Sequence, residues 1–245
     1  MKKMIKKIFV FGIIPLGLII GIDELVYIFP EPFFDYHKSY KQFEFYSTEK
    51  LPQNIDHILD LVERKIQISE YYSPDKKHRI YYCPTGTTYR KLMFNINERY
   101  IYNSTIRHNI LIFADTDFDA NNLFDKVFQV TYKADQCIVS GIVLTFIKGG
   151  QPNWMTNGYQ EYISNYGDGY VDSGFIKNVR TFYSDSTSAR LINEYGISRP
   201  RNYHRSRILI EYLILVKGMK LDEIKLENLT EDEVLKKLTA WYSEQ

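Results

Sequence analysis

Apolar residues recur along the chain at two spacings, which predict a mixture of strands and helices. Residues 42–46 alternate between polar and aromatic side chains, as expected for a half-buried strand. From Ile55 to Ile66 the apolar residues lie three or four positions apart after Pro52, which predicts a helix. Further strands are predicted over residues 79–83, 100–103 and 108–114, with a short helix over 88–94. The last strand is the most apolar and is expected to lie inside the sheet.

From Asn121 onwards the pattern predicts mainly helices. Leu123, Val127 and Val130 have helical spacing, and residues 138–146 are apolar almost all round, which predicts a buried helix that stops at Gly149-Gly150. Three further helices are predicted: residues 153–164, residues 205–217 with Gly218 as the C-cap, and a last helix opened by the capping box Thr230-x-x-Glu233. The predicted fold class is therefore α+β, with an N-terminal mixed sheet followed by a mainly helical half.

The first 29 residues have a pattern of their own. Lysines at positions 2, 3, 6 and 7 precede fifteen uncharged residues, 8–22, which end before Asp23 and Glu24. As a helix this run would reach about 22 Å, short of a hydrocarbon core of about 30 Å, but residues 25–29 can lengthen it. The run ends in bulky residues rather than in a small-residue cleavage site, which favours an uncleaved anchor over a cleaved signal sequence.

This N-terminal pattern predicts the domain organisation and the location. Residues 1–29 are interpreted as cytoplasmic lysines with a transmembrane anchor (or signal sequence), residues 30–40 as a linker bracketed by Pro30 and Pro32, and residues 41–245 as one domain. Because positive residues stay on the cytoplasmic side, the domain is expected to be extracytoplasmic, in the periplasm or at the cell surface. A buried core helix at the N-terminus is the alternative, but lysines directly before an apolar run are unusual in a soluble domain.

Composition excludes several classes of protein. The 245 residues include 44% hydrophobic and 25% charged residues, which are ordinary values for a globular chain. The net charge is +1 overall and −3 without the four N-terminal lysines, so no affinity for nucleic acid is expected. Five His and two Cys are too few for zinc ribbons, iron–sulfur cages or disulfide frameworks.

One segment has the form of a known motif. The residues Pro152-x-Trp154-x-x-Asn157-Gly158-x-x-x-Tyr162, in a chain that begins with a sheet and ends in helices, resemble the gluzincin, or peptidase MA-like, zinc metallopeptidases. Small membrane-anchored bacterial members also begin with a lysine-flanked apolar segment and a stretch similar to residues 32–37. The resemblance covers about residues 33–241 and implies a zincin-like fold.

The chain departs from that family where the chemistry lies. Active members carry H-E-x-x-H on one helix and a third zinc ligand on the next, and no H-E-x-x-H occurs here. The best register places Tyr132 and Gln136 at the two His positions, Lys133 at the general base and Asn157 at the third ligand. A phenol, two carboxamides and a lysine make a poor zinc site. The expectation is no metal, no cofactor and no catalytic residue, with these four side chains clustered on two neighbouring helices beside a groove.

Two functions from different classes remain open at this point. The first is a membrane-anchored extracytoplasmic pseudopeptidase whose groove binds a peptide or a protein. The second is an active hydrolase or peptidase with a non-standard site, for example Glu161 with Asp168 or Asp172.

Other candidate sites are weaker. Asp115, Asp117 and Asp119 are spaced like the start of a calcium loop, but Ala120 and Lys126 occupy the positions of its Gly and its bidentate Glu, which favours a strand-to-helix turn. Residues 167–172 are interpreted as a plain turn. The His residues have no ligand spacing; they lie at positions 37, 57, 78, 108 and 204. Cys83 and Cys137 would be outside the cytoplasm, so a disulfide stays open, although unpaired thiols are favoured.

Overall fold

The computed structural model describes residues 31–83, 102–104, 110–112, 116–119, 121–125, 130–147, 151–166, 175–184 and 201–245. After a 3-10 turn at Glu31–Phe33, the strands are β1 (Tyr36–Tyr40), β2 (Phe43–Ser47), β3 (His78–Tyr82), β4 (Tyr102–Ser104), β5 (Ile110–Ile112), β6 (Thr116–Asp119), β7 (Asn122–Asp125) and β8 (Val130–Lys133). The helices are α1 (Ile55–Ile66), α2 (Ala134–Phe146), α3 (Asn153–Ser164), α4 (Phe175–Ser184), α5 (Arg201–Glu211), α6 (Leu221–Leu226) and α7 (Glu231–Ser243). The α+β class is confirmed.

The larger sheet is mixed. Its strand order is β1-β2-β3-β5-β4, with β2, β3 and β5 parallel to one another and an antiparallel strand at each edge. The hairpin between β1 and β2 turns at Lys41, whose φ of 52° lies in the left-handed region. Strand β5 is paired on both sides, as its apolar sequence predicts. The inner face of the sheet carries Phe43, Phe45 and Ile80, all fully buried.

Helix α1 lies on the inner side of this sheet. Its residues Ile58, Leu59 and Val62 are fully buried, because apolar side chains at this spacing share one helix face. The register of β1 turns Lys38 and Tyr40 towards the same side as Phe45 and Phe43. Both side chains contact carboxylates of α1: Lys38 pairs with Asp56 and Tyr40 donates to Asp60. The predicted helix over 55–66 is confirmed.

The smaller sheet replaces a predicted helix. Strands β6, β7 and β8 form an antiparallel meander, with Leu123 paired to Tyr132 and Phe124 to Thr131. The helical interpretation from Asn121 is therefore wrong for residues 121–125 and 130–133, whereas Val127 lies outside the described residues. The spacing of Leu123, Val127 and Val130 was ambiguous, whereas the β-branched and aromatic run Val130-Thr131-Tyr132 suits a strand. The same meander places Asp117 and Asp119 in β6 rather than in a turn.

Helices α2, α3 and α5 form the centre of the helical half. Helix α2 is buried along its whole length except at Leu144, as its uniformly apolar sequence predicts. Helix α3 has the predicted bounds, and α5 begins earlier than predicted, continues in a π-helical turn at Tyr212–Val216 and ends before Gly218, whose φ is +67°. Thr230 and Glu233 form the predicted capping box of α7.

The N-terminal boundary differs from the predicted linker in one respect. Within residues 30–40, the 3-10 turn and β1 belong to the folded sheet. The predicted anchor and the predicted helix over 88–94 lie outside the described residues. Among the residues that the structure describes, no helix has both the length and the apolar composition needed to cross a membrane.

Candidate functional site

Three of the four predicted site residues, Tyr132, Lys133 and Gln136, lie around the start of α2. Tyr132 and Lys133 belong to β8, not to a helix, and the Lys133 ammonium donates to the Asn122 side chain at 3.0 Å. Gln136 is in the first turn of α2 and is buried, whereas Asn157 lies on α3 and is partly exposed. Two of the four residues are thus on a strand, which differs from the predicted placement on two helices.

Side-chain contacts show how α2 and α3 face each other. The Gln136 side chain donates to Asn165 Oδ1 at 3.1 Å, and Gln160 Nε2 donates to the Ser140 carbonyl at 3.3 Å. The contact at Gln136 of α2 is made with Asn165, and the contact at Ser140 is made with Gln160, earlier in α3. The two helices are therefore antiparallel. On this pairing Asn157 is level with residues near Val143, about two helical turns or 11 Å from Gln136 along the axis. The expected cluster of Gln136 with Asn157 does not form.

A charged group instead occupies the start of α2. Lys65 Nζ lies 2.6 Å from Asp135 Oδ2 and donates to the Ser164 carbonyl at 2.9 Å. Asn121 donates to Asp135 Oδ1 at 2.7 Å and accepts from the Asp135 backbone N–H at 3.0 Å. Lys65 and Asp135 are only 3% and 2% exposed. We call Lys65, Asp135 and Asn121 the ion-pair cluster; it connects α1, α2 and α3 through directed bonds.

A second polar group lies beside the ion-pair cluster. Asn165 Nδ2 donates to the Glu161 carbonyl at 2.9 Å and to Glu161 Oε2 at 3.0 Å, while its Oδ1 accepts from Gln136. We call Gln136, Glu161 and Asn165 the amide cluster. Glu161 is buried. Its carboxylate accepts a hydrogen bond from the Asn165 carboxamide.

The three residues that match the family motif have packing roles. Trp154 and Tyr162 are buried, and Gly158 lies where α3 meets α5. A Cβ on Gly158 would lie 2.3 Å from the Ser206 carbonyl oxygen and 2.7 Å from Ile210 Cγ1, so only glycine permits this close approach. Packing of α3 against α5 therefore accounts for Gly158, and Trp154 and Tyr162 contribute to the core.

Helix α5 carries an ionic group of its own beside α3. Arg207 Nε pairs with Glu211 Oε1 at 2.7 Å, and both side chains are almost completely buried. Burial raises the pKa of the Tyr162 phenol, and the nearby Glu211 carboxylate raises it further. The phenol therefore stays protonated near neutral pH and can act only as a neutral hydrogen-bonding group.

The described histidines are spread over the molecule. Burial, with the nearby Lys76 charge, lowers the pKa of His78 to about 4, and burial beside Arg207 lowers the pKa of His204 to about 4. His37 is on the sheet surface and contacts Glu44 at 2.8 Å. His57 is exposed on α1. His108 lies outside the described residues.

Neither cysteine is part of a disulfide. Cys83 and Cys137 are fully buried, and the disulfide left open by the sequence does not form. Burial raises the pKa of the Cys83 thiol well above its usual range, which keeps it protonated and unreactive.

Of the remaining candidates, Asp115, Asp168 and Asp172 lie outside the described residues. In the parts of the chain that are described, no three His, Cys, Asp or Glu side chains are grouped so that they could hold a metal ion. No protein-family model, no curated protein and no solved structure matches the chain.

Sequence reasoning missed the ion-pair cluster and Asn165. One signal was available: Lys65 follows Ile58 and Val62 at helical spacing, so a lysine stands in the buried stripe of α1. A lysine at such a position requires a buried partner. Nothing in the sequence alone indicates that the partner is Asp135, seventy residues later in the chain.

Proposed function

We propose that the chain is a membrane-anchored extracytoplasmic protein whose zincin-like domain has lost peptidase chemistry and binds a peptide or a protein. The observation that carries the proposal is the direct contact between α2 and α3 through the amide cluster. In the resemblance to gluzincins, these are the helices that bring the zinc ligands together. Here carboxamide and carboxylate groups bond to each other at that position.

The donor groups present do not fit zinc. Zinc sites in proteins use thiolate, imidazole and carboxylate ligands. The residues at the corresponding positions are Tyr132, Lys133, Gln136 and Asn157, which the structure distributes over β8, α2 and α3. The nearest carboxylates, Asp135 and Glu161, are already bonded to Lys65 and Asn165. No step of a metal-dependent reaction is derived from these groups.

The larger sheet supports a binding role. Among the described strands, β4 is one of the two antiparallel edge strands of this sheet, and it pairs with β5. Helix α2 contacts both β4 and β5. An extended peptide can add to such an edge by main-chain hydrogen bonds. The proposed ligand is therefore an extended peptide segment, free or within a protein, lying along β4.

The test compares metal content and activity in the full-length protein purified in detergent. We expect substoichiometric zinc by atomic absorption and no cleavage of a mixed peptide library, with or without chelator. Stoichiometric zinc, or cleavage that a chelator abolishes, would show that the pseudopeptidase proposal is wrong.

The same assay separates the alternative hydrolase. If chelator-insensitive cleavage occurs, Glu161→Gln is the informative variant, because glutamine can still accept from Asn165 but cannot carry a charge. Loss of cleavage in Glu161→Gln, with an unchanged thermal unfolding midpoint, would support a hydrolase with a non-standard site and refute a purely binding role.

A further inference from the structure

The outer face of the larger sheet is chemically distinct from the inner face. In β2, Phe43, Phe45 and Ser47 are buried, while Glu44 and Tyr46 point to the other side. The register places Tyr46 beside His37 on one neighbour and Tyr81 on the other, and Glu44 beside Arg79. We call the surface formed by His37, Glu44, Tyr46, Arg79 and Tyr81 the outer face.

The segment after the predicted anchor is fixed to this outer face. The Tyr81 hydroxyl donates to Glu31 Oε1 at 3.0 Å, and Arg79 pairs with the same carboxylate at 3.3 Å. The Phe34 ring is 5.1 Å from the Tyr81 ring and 6.4 Å from the Tyr46 ring, and Phe34 is 92% buried. Residues 31–34 are therefore packed on the sheet and are not a free tether.

We propose that the outer face lies against the phospholipid headgroups of the membrane in which residues 1–29 are anchored. The inference rests on the proposed anchor. Phe29 is the last residue of the apolar segment, and Glu31 follows two positions later. Two residues span at most about 7 Å, so the Cα atom of Glu31 lies within about 7 Å of the Cα atom of Phe29. The outer face therefore carries the attachment point of the segment that directly follows the anchor.

The chemistry of the outer face suits an interface with headgroups. Tyr46, on the outer face of β2, is partly exposed, and tyrosine side chains favour the boundary between hydrocarbon and water. Lys77 and Arg79 are exposed and can reach phosphates, since long basic side chains extend towards headgroups. Glu44 contacts His37 and Lys77, and Glu31 contacts Arg79.

The net charge of the outer face is close to zero. Asp35 is exposed beside the paired carboxylates of Glu31 and Glu44 and offsets the basic residues. Net attraction to anionic lipid is therefore not required. The contact is set by the short connection to the anchor, and it should persist in vesicles of zwitterionic phosphatidylcholine.

The experiment measures the distance of single labels from the bilayer. The two native cysteines are fully buried, so fluorophores attach selectively to Ser39→Cys, Lys77→Cys or Arg64→Cys in the full-length protein. Ser39 is exposed and is paired with Glu44, so it lies on the outer face. Arg64 is the control, because it is exposed on α1, on the opposite side of the sheet from the outer face. Phosphatidylcholine vesicles carry a headgroup-attached nitroxide quencher. We expect several-fold stronger quenching at positions 39 and 77 than at 64.

The outcomes separate this inference from the anchor itself. Equal quenching at all three positions, in protein that stays in the vesicles after a carbonate wash, would overturn the orientation and leave the anchor intact. Release of the protein by the wash would show that residues 1–29 do not anchor it, and both proposals would fail.

A second variant tests the role of the segment over residues 31–34. Glu31→Gln with Phe34→Ala removes the ion pair with Arg79 and the ring contact with Tyr81, so the domain gains freedom to move away from the bilayer. Quenching at Lys77→Cys should then fall towards the level of Arg64→Cys. The exposed substitution Glu49→Gln is the matched control and should leave quenching unchanged. Undiminished quenching in the double variant would show that residues 31–34 do not hold this face to the membrane.

Discussion

At the scale of single residues, Gly158 shows how a motif residue can be explained by packing rather than chemistry. Its missing side chain lets the α5 backbone at Ser206 approach α3 directly. A backbone carbonyl cannot rotate away as the end of a flexible side chain can. The close approach of α3 and α5 is therefore fixed by one position, and the residues around it, Trp154 and Tyr162, are buried on the same helix.

The first prediction concerns this position. Gly158→Ala should lower the free energy of unfolding by about 3 kcal/mol, because the new methyl group overlaps the Ser206 carbonyl and the two helices must separate. Urea unfolding of the full-length protein, followed by circular dichroism, measures the change.

The matched control for Gly158→Ala is Gly218→Ala. No atom lies within 4 Å of the position of its Cβ, and its φ is +67°, so the cost there should be only about 1 kcal/mol of backbone strain. Equal losses at both positions would show that the contact with Ser206 does not set the helix separation.

At the scale of elements, the ion-pair cluster joins three helices that the sequence separates widely. The Lys65 ammonium on α1 meets the Asp135 carboxylate of α2 and the last carbonyl of α3, at Ser164. Asn121, at the start of β7, holds the other carboxylate oxygen. Because buried charges are stable only when paired, these elements must pack in one arrangement for the pair to form.

The second prediction is a double-mutant cycle on this pair. Lys65→Met leaves the Asp135 charge buried without its partner, and should lower the free energy of unfolding by about 3–5 kcal/mol. Adding Asp135→Asn removes the charge and keeps a group that can bond to Asn121, so the double variant should recover a large part of the loss. Urea unfolding of Lys65→Met, Asp135→Asn and the double variant provides the measurement. Additive losses in the double variant would mean that the two side chains do not stabilise each other.

The elements also show how far the sequence alone predicts this molecule. Helices α1 and α3 were predictable because their apolar spacing and their first-turn residues agree. The meander of β6, β7 and β8 was not, since Leu123 and Val130 fit either period and the strands form only by pairing with one another. The candidate site depended on long-range contacts, such as Lys65 with Asp135, that local patterns cannot encode. The absence of catalytic chemistry is inferred from residue identity alone and stays a prediction.

At the scale of the whole molecule, buried neutral histidines couple stability to pH. His78 packs between Phe43 of the sheet and Phe146 of α2, with ring centroids 6.0 Å from each. Burial first, and then the Lys76 charge, lower its pKa to about 4 from the ordinary 6.5. The His78 ring lies where the sheet and the helical half meet, and it therefore stays neutral in the folded protein down to about pH 4. His204 on α5 behaves in the same way.

The third prediction follows from the sign of this shift. Between pH 6.5 and about pH 4 the unfolded chain binds a proton at His78 and the folded chain does not, so the free energy of unfolding falls as the pH is lowered through this range. His78 alone contributes at most roughly 3 kcal/mol, with no further change below about pH 4. The carboxyl groups of Glu44 and Asp60, whose pKa values are lowered by their partners, weaken the fold only below their ordinary values of 4.5 and 3.8. A loss of unfolding free energy that begins near pH 6.5 is therefore specific to histidine.

Urea unfolding at pH 7 and pH 5 tests this prediction. The difference in unfolding free energy between the two pH values should be smaller for His78→Gln than for the unaltered protein, whereas the exposed variant His57→Gln should retain the full difference. If the unfolding free energy of His78→Gln depends on pH in the same way as that of the unaltered protein, protonation of His78 does not contribute to the pH dependence of stability.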